Sequence, residues 1–153
     1  MRLVVADERK TCIAAALAMV LELPYDQVLA ELYSKLTYPF PEPWQQMPKV
    51  PDMNVVVDWA YSKHHAALVP FERNPVCTPH LDCKPVPVWY NGDSKFRDQL
   101  RRGIGLIECV RRNGLGHMVA WDGKDVFDPE GYRYPYERLS DYGLEAKRFW
   151  LCT

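Results

Sequence analysis

The chain has 153 residues, of which 48% are apolar and 25% charged, a balance typical of one globular domain and not of a disordered chain. Nineteen basic against twenty acidic residues leave a net charge of -1, which argues against binding nucleic acid or an anionic membrane through overall charge. The longest apolar stretch, Cys12 to Leu21, is about half the length of a bilayer span. Five cysteines at irregular spacing indicate reduced thiols. We therefore expect a single-domain cytoplasmic protein covering residues 1–153.

The N-terminal part of the sequence predicts two helices. Residues Cys12 to Glu22 include four alanines and are apolar around nearly the whole helix circumference, which predicts a central, buried helix. Thr11 is the expected N-cap, its side chain accepting a free backbone N–H. Pro24 ends this helix, and an apolar stripe predicts a second one from about Tyr25 to Leu36.

Prolines mark the middle of the chain, where eleven of the thirteen prolines lie between Pro24 and Pro87. Residues 37–51 predict no regular element but an ordered surface excursion with a structural or binding role. A third helix is predicted from Pro51-Asp52 to about Lys63, followed by a short strand from Ala67 to Phe71.

The C-terminal half is rich in strand patterns. The sequence predicts a short helix from Asp93 to Arg102 and five strands, at Val86–Tyr90, Ile104–Arg111, Leu115–Trp121, Val126–Asp128 and Leu144–Leu151. Helices first and an antiparallel sheet afterwards indicate the α+β class.

Cys12 is a candidate nucleophile because it is predicted at the start of the buried helix. The first turn of a helix presents unpaired N–H groups and the positive end of the helix dipole, both of which favour a thiolate. The same N–H groups can stabilise the oxyanion of an acyl-transfer intermediate. The structural alternative is an inert buried cysteine.

His117 and Asp128 are the candidate base and its orienting carboxylate. If Asp122-Gly123 forms a two-residue hairpin loop, His117 lies directly opposite Asp128, with the two Cβ atoms roughly 4.5–5.5 Å apart. A carboxylate in that position can hold the imidazole tautomer and stabilise the imidazolium. With Cys12 these residues satisfy the requirements of nucleophilic cysteine catalysis. An ordinary cross-strand His–Asp pair is the alternative.

At these residues the chain resembles the papain-like bacteriocin-processing (double-glycine) cysteine peptidases and their small stand-alone relatives in bacteria and phages. The stretches TCIAAALAMVLELPYDQV and GHMVAWDGKDVFDP carry the resemblance. The family pattern is a Cys opening a helix of small residues, then Gly-His-Xaa-Val with an Asp-Pro beyond it. The resemblance implies a papain-like fold with Cys12 as nucleophile, His117 as base and Asp128 as the orienting carboxylate. It covers both ends of the chain and not the proline-rich middle.

Ala6 departs from the family pattern, which usually has a Gln there whose amide donates to the oxyanion. Losing one such donor costs about 10²–10³ in rate. The acidic Asp7 and Glu8 beside it would oppose a thiolate and repel an oxyanion. Lys10 or Arg9 is a substitute donor that the sequence leaves open.

Three further groups are weaker candidates. Cys77, His80 and Cys83 have a C-x2-H-x2-C spacing and, with upstream histidines, offer enough ligands for a structural zinc, against an ordinary turn-rich loop with incidental thiols. Arg111 and Arg112 are candidate substrate-binding residues for an acidic group, or cations that solvate a strand end. Trp44 is a candidate cleft residue in the proline-rich excursion. Cys109 and Cys152 are predicted to be packing residues.

These observations predict a cysteine-dependent hydrolase, a peptidase acting on an extended peptide or protein tail, with no cofactor. Two alternatives stay open. One is a catalytically silent papain-like binding or inhibitor module, such as a phage-type protein that captures a host partner. The other keeps the triad but catalyses deamidation or transacylation, since the acyl-enzyme step is shared. Neither nucleic acid nor a membrane is an expected partner.

Overall fold

The computed structural model describes residues 1–33, 51–72 and 103–153 of the chain. Three α-helices lie in these ranges: α1 (Cys12–Leu21), α2 (Tyr25–Tyr33) and α3 (Met53–His64), together with 3-10 helices at Arg9–Thr11 and Tyr136–Tyr142. The strands are β1 (Leu68–Glu72), β2 (Ile104–Arg111), β3 (Gly116–Trp121), β4 (Asp125–Asp128), β5 (Tyr132–Pro135) and β6 (Leu144–Cys152). Within the described ranges, no helix is long and apolar enough to cross a membrane.

The strands form one antiparallel sheet in the order β1-β6-β2-β3-β4-β5. This confirms the predicted α+β class. The last strand in the chain does not lie at an edge of the sheet, because β6 is inserted between β1 and β2. The predicted strand at Val86–Tyr90, the predicted helix at Asp93–Arg102 and most of the proline-rich excursion lie outside the described residues.

Helix α1 is the centre of the fold, as its composition predicts. Nine of its ten residues are buried. Three of its first five residues are alanines, whose small side chains allow the helix to pack closely on the sheet. The helix is capped at its C-terminus by Glu22, which adopts a left-handed conformation with φ 54°, and Pro24 follows two residues later. Burying a large aliphatic side chain such as Leu17 contributes about 1.5–3 kcal/mol, so this helix anchors much of the core.

The predicted capping role of the Thr11 side chain is wrong. A turn of 3-10 helix precedes α1, and Thr11 Oγ1 makes no capping bond to the helix that follows. It donates instead to the Glu8 carbonyl at 2.8 Å and accepts a hydrogen bond from the Tyr25 hydroxyl at 2.9 Å. Because a 3-10 turn immediately precedes Cys12, the Thr11 hydroxyl stabilises that turn and does not cap the start of α1.

The other described helices follow their sequence signals. Asp52 caps α3 by accepting the Asn54 N–H at 2.8 Å, and the helix ends one residue beyond the predicted Lys63. Strand β1 begins one residue later than predicted. The described part of α2 ends at Tyr33, and its predicted end at Leu36 lies outside the described residues.

The sheet separates two hydrophobic clusters, as strand alternation requires. On one face, the helices pack against Leu106, Met118, Ala120, Phe127 and Trp150. On the other face, the second 3-10 helix contributes Leu139 to a cluster with Ile107, Cys109, Val119, Trp121, Val126 and Phe149. The helices and the short 3-10 helix thus cover opposite faces of the sheet.

The hairpin between β3 and β4 turns one residue later than predicted. The Asp122 N–H donates to the Asp125 carbonyl at 3.2 Å, so the two loop residues are Gly123 and Lys124 rather than Asp122-Gly123. The cause is the Asp122 carboxylate, which accepts the N–H groups of Lys124 at 3.1 Å and Asp125 at 2.8 Å. Gly123 then takes φ 93°, a conformation that glycine adopts without strain.

The later turn moves the strand register by two residues. Trp121 pairs with Val126, and continuing that register places Val119, not His117, opposite Asp128. The predicted direct opposition of His117 and Asp128 is therefore wrong. A shift of two residues preserves side-chain alternation, and a diagonal neighbour on a sheet is still within reach of long side chains.

Gly105 offers a test of the sheet centre. A Cβ at this position would collide with the Trp150 carbonyl of β6, so Gly105→Ala should lower the free energy of unfolding by about 1–3 kcal/mol. Gly116→Ala is the matched strand control, because no atom lies within 4 Å of its added Cβ, and it should be neutral or stabilising by about 0.5 kcal/mol. Urea unfolding measures both variants. Equal effects of the two substitutions would contradict the close approach of β2 and β6.

Candidate active site

Cys12 is the first residue of α1, and it is only 7% exposed. Two tyrosines of α2 hold the turn that precedes it. The Tyr25 hydroxyl donates to Thr11 Oγ1 and accepts the Asp7 N–H at 3.2 Å, while the Tyr33 hydroxyl donates to the Lys10 carbonyl at 2.6 Å. The second helix therefore fixes the backbone on which the nucleophile sits. Sequence reasoning missed both tyrosines, because neither belongs to the apolar stripe that predicted α2.

His117 and Asp128 are buried together beside Cys12. His117 is the second residue of β3 and Asp128 the last residue of β4, with 5% and 2% exposure. Their side chains meet at 2.8 Å between Nε2 and Oδ1. The Cys12 side chain lies close enough to the His117 ring to raise the pKa of this histidine. Since Nε2 is taken by the carboxylate, Nδ1 is the ring nitrogen left for the sulfur.

The Asp128 carboxylate has two further donors. Its Oδ1 accepts the Glu130 N–H at 2.9 Å, and its Oδ2 accepts the Tyr134 hydroxyl at 3.2 Å. The sequence gives little sign of this contact, because Tyr132, Tyr134 and Tyr136 alternate along one strand face in a pattern that packing alone would also produce. The pattern does not single out Tyr134, since Tyr132 lies on the same face of β5 and is 51% exposed.

The surroundings favour the charged forms of both partners. Burial alone would lower the pKa of His117, but the hydrogen bond to Asp128, the nearby Cys12 side chain and the charges of both outweigh burial and raise it to about 9. Burial would likewise raise the pKa of Asp128, whereas its bonds to His117, the Glu130 N–H and the Tyr134 hydroxyl outweigh it and lower that pKa. An imidazolium–carboxylate pair therefore persists through neutral pH.

A cleft of about 230 Å³ opens at this constellation. Its described lining consists of Val5, Ala6, Asp7, Glu8, Cys12, His117, Pro129 and Glu130. The Ala6 N–H donates to the Pro129 carbonyl at 2.8 Å, which holds the N-terminal segment along the turn after β4. Ala6 thus lines the cleft, yet its methyl group is no hydrogen-bond donor and its backbone N–H is already used.

The predicted substrate-binding residues lie in different places. Arg111 forms an ion pair at 2.6 Å with Glu130, which lines the cleft. Arg111 itself is not part of the described lining. Arg112 is not part of the described lining, and its side chain lies over Gly143. Trp44 lies outside the described residues.

The candidate zinc ligands Cys77, His80 and Cys83 also lie outside the described residues. Within the described ranges, no group of three or more His, Cys, Asp or Glu side chains could hold a metal ion.

Cys109 and Cys152 are packing residues, as predicted. Cys109 has no exposed surface, and burial raises the pKa of its thiol to about 12. Cys152 packs against the cluster around α1, and burial raises the pKa of that thiol as well. Both therefore contrast with Cys12, whose side chain lines the cleft beside a histidine.

Comparison with protein families, curated proteins and solved structures adds no relative. The chain matches no protein-family model, no curated protein and no solved structure. What can be inferred about its chemistry therefore rests on the residues and geometry described above.

The His117–Asp128 pair predicts a specific pH dependence of stability. The raised pKa of His117 means that its contribution is complete below about pH 6.5, the ordinary histidine value, and is lost as pH rises through about 9. His117→Gln should thus lower the free energy of unfolding by about 3–5 kcal/mol near pH 6 and by less at pH 9.5. Urea titrations at both pH values measure the difference.

The control is the same substitution in an Asp128→Asn background, where the partner charge is gone. There the cost of His117→Gln should change little between the two pH values. A cost that stays constant with pH in the wild-type background would show that the pair is not charged in the folded protein.

Proposed function

We propose that this chain is a papain-like cysteine hydrolase that uses Cys12, His117 and Asp128 on a peptide or protein-tail substrate. The observation that carries the proposal is the His117 ring, which bonds the Asp128 carboxylate at 2.8 Å and lines one cleft together with Cys12. Nucleophile, base and orienting group are the parts that covalent acyl transfer requires. The fold-level likeness to papain is part of the proposal and rests on the quoted motifs.

The mechanism follows from the order of contacts. His117 takes the Cys12 proton, or holds it in a preformed ion pair, and the thiolate attacks the substrate carbonyl. His117 then gives that proton to the leaving amine, and Asp128 stabilises the imidazolium before this transfer. Water activated by His117 releases the acyl group and restores the thiol. Because the raised pKa of His117 keeps the imidazolium up to about pH 9, turnover should decline above that pH.

The oxyanion has to be stabilised without a side-chain donor at residue 6. Backbone N–H at Cys12, at the positive end of α1, is the proposed donor. Asp7 and Glu8 on the cleft wall act against an oxyanion, because like charges repel in a partly dry site. The expected enzyme is consequently slower than one with a glutamine donor, by about 10²–10³.

The same features favour a second candidate, a catalytically silent binding module. Ala6 offers no donor, and carboxylates line the cleft where negative charge would develop. A module that only captures a partner has no use for a reactive thiol, so the reactivity of Cys12 separates the two candidates. Deamidation and transacylation share the acyl-enzyme and belong with the first candidate.

The decisive experiment is alkylation of all five cysteines against pH, resolved by peptide mass spectrometry. An ordinary cysteine is only about 0.3% thiolate at pH 6. We expect Cys12 to react about tenfold or more faster than Cys152 at pH 6, and this fast phase to disappear in His117→Ala. His64→Ala is the matched control, because His64 bonds Glu31 on α2, 3.2 Å away, outside the cleft.

If Cys12 reacts no faster than Cys152 and loses nothing in His117→Ala, the hydrolase proposal fails. Capture of a partner by immobilised protein then becomes the experiment of choice.

A positive alkylation result leads to a substrate search with a peptide library. Cys12→Ala should reduce turnover by roughly 10³-fold or more while leaving the circular dichroism spectrum unchanged, because the residue is small and alanine fits the helix start. Cys109→Ala is the control for a buried cysteine outside the cleft. Turnover at the wild-type rate in Cys12→Ala would rule out the nucleophile.

A further inference from the structure

The two oxygens of Asp128 are held by different parts of the fold. Oδ1 receives His117 Nε2 at 2.8 Å and the Glu130 N–H at 2.9 Å. Oδ2 receives the Tyr134 hydroxyl at 3.2 Å, and this is the donor that the described residues give it. With 2% of the residue exposed, water contributes little to either oxygen. The tyrosine therefore matters for whether the carboxylate stays charged and in place.

Tyr134 is itself held rigidly. Its ring is 2% exposed and stacks on Tyr142 of the second 3-10 helix, with centroids 3.7 Å apart and planes 10° from parallel. Its strand, β5, pairs with β4, and Val126 is its partner two residues before Asp128. The hydroxyl is thus delivered to Oδ2 by a strand and a helix that hold no other residue of the proposed triad.

We propose that Tyr134 is a positioning residue, whose hydroxyl fixes the Asp128 carboxylate so that its other oxygen is presented to His117. The inference rests on the proposed function of the Cys12 cleft. It adds Tyr134, on β5, to the residues that this function requires. Tyr134 is not among the described residues that line the cleft, and its hydroxyl bonds Asp128, so we expect it to act through that carboxylate.

The physical reason is the cost of a buried carboxylate oxygen without a donor. A hydrogen bond to a charged group stabilises more than one between neutral groups, and leaving the group unpaired costs its full desolvation. Without the hydroxyl, the pKa of Asp128 rises or the carboxylate rotates towards another donor. Either change weakens its hold on the imidazolium, and His117 then gives up its proton at a lower pH.

The test compares Tyr134→Phe with Tyr132→Phe on the same strand. Tyr132 is 51% exposed and serves as the matched loss of a hydroxyl. Two readouts are used: the NMR titration of the His117 ring and the rate of Cys12 alkylation at pH 6. In Tyr134→Phe we expect the His117 midpoint to move from about 9 towards 6.5 and the alkylation rate to fall about tenfold. Tyr132→Phe should leave both unchanged.

Stability separates a positioning role from a merely structural one. If Tyr134→Phe lowers the unfolding midpoint in urea but leaves the His117 titration where it was, the proposal is overturned. A second variant, Tyr142→Leu, removes the ring that stacks on Tyr134 and keeps the Tyr134 hydroxyl. It should shift the His117 titration in the same direction as Tyr134→Phe, but by less. The proposal is also overturned if both Tyr134→Phe and Tyr142→Leu leave the His117 titration unchanged.

The two readouts also separate this inference from the proposed function. If wild-type Cys12 shows no fast alkylation, the hydrolase proposal fails. The His117 titration in Tyr134→Phe still decides whether the tyrosine holds the pair.

Discussion

The buried contact between His117 and Asp128 is the constraint on which the rest of the site depends. Two groups that are both charged and almost fully buried are stable only when each remaining polar atom has a partner. The fold meets this requirement with a strand end, the turn after β4 and a tyrosine from β5, while His117 shares the cleft wall with Cys12. The site is therefore a property of the whole β3–β5 region and not of two residues alone.

The sequence indicates most of this arrangement because its signals are local or periodic. The alanine-rich run predicts α1 as a buried helix. Side-chain alternation places His117 and Asp128 on one face of their hairpin in both the predicted and the observed register, because the two registers differ by two residues. The exact turn is not predictable in the same way. Asp-Gly favours a two-residue loop, but the Asp122 side chain bonds two following N–H groups and moves the turn by one residue.

Contacts between distant elements account for what the sequence does not reveal. Tyr25 and Tyr33 reach from α2 to the turn before Cys12, and Tyr134 reaches from β5 to Asp128. A tyrosine pattern is compatible with packing alone, and only the pairing of strands and helices shows which hydroxyl has a partner. The Thr11 cap fails because a 3-10 turn precedes α1, and the Thr11 hydroxyl donates to the Glu8 carbonyl of that turn and accepts a bond from Tyr25.

The choice between an enzyme and a silent module depends on which of two energetic features dominates. The missing donor at Ala6 and the carboxylates of the cleft disfavour negative charge on the substrate carbonyl oxygen, and both would be harmless in a binding module. A buried, hydrogen-bonded imidazolium pair is harder to explain without catalysis. Apolar residues of similar volume are often at least as stabilising as such a pair, and removing either partner is strongly destabilising. A fold that only captured a partner would gain nothing from keeping a cysteine beside a histidine whose pKa is raised to about 9. The arrangement of the charges is the one that the proposed acyl transfer requires, and the weak oxyanion site would limit the rate of that reaction.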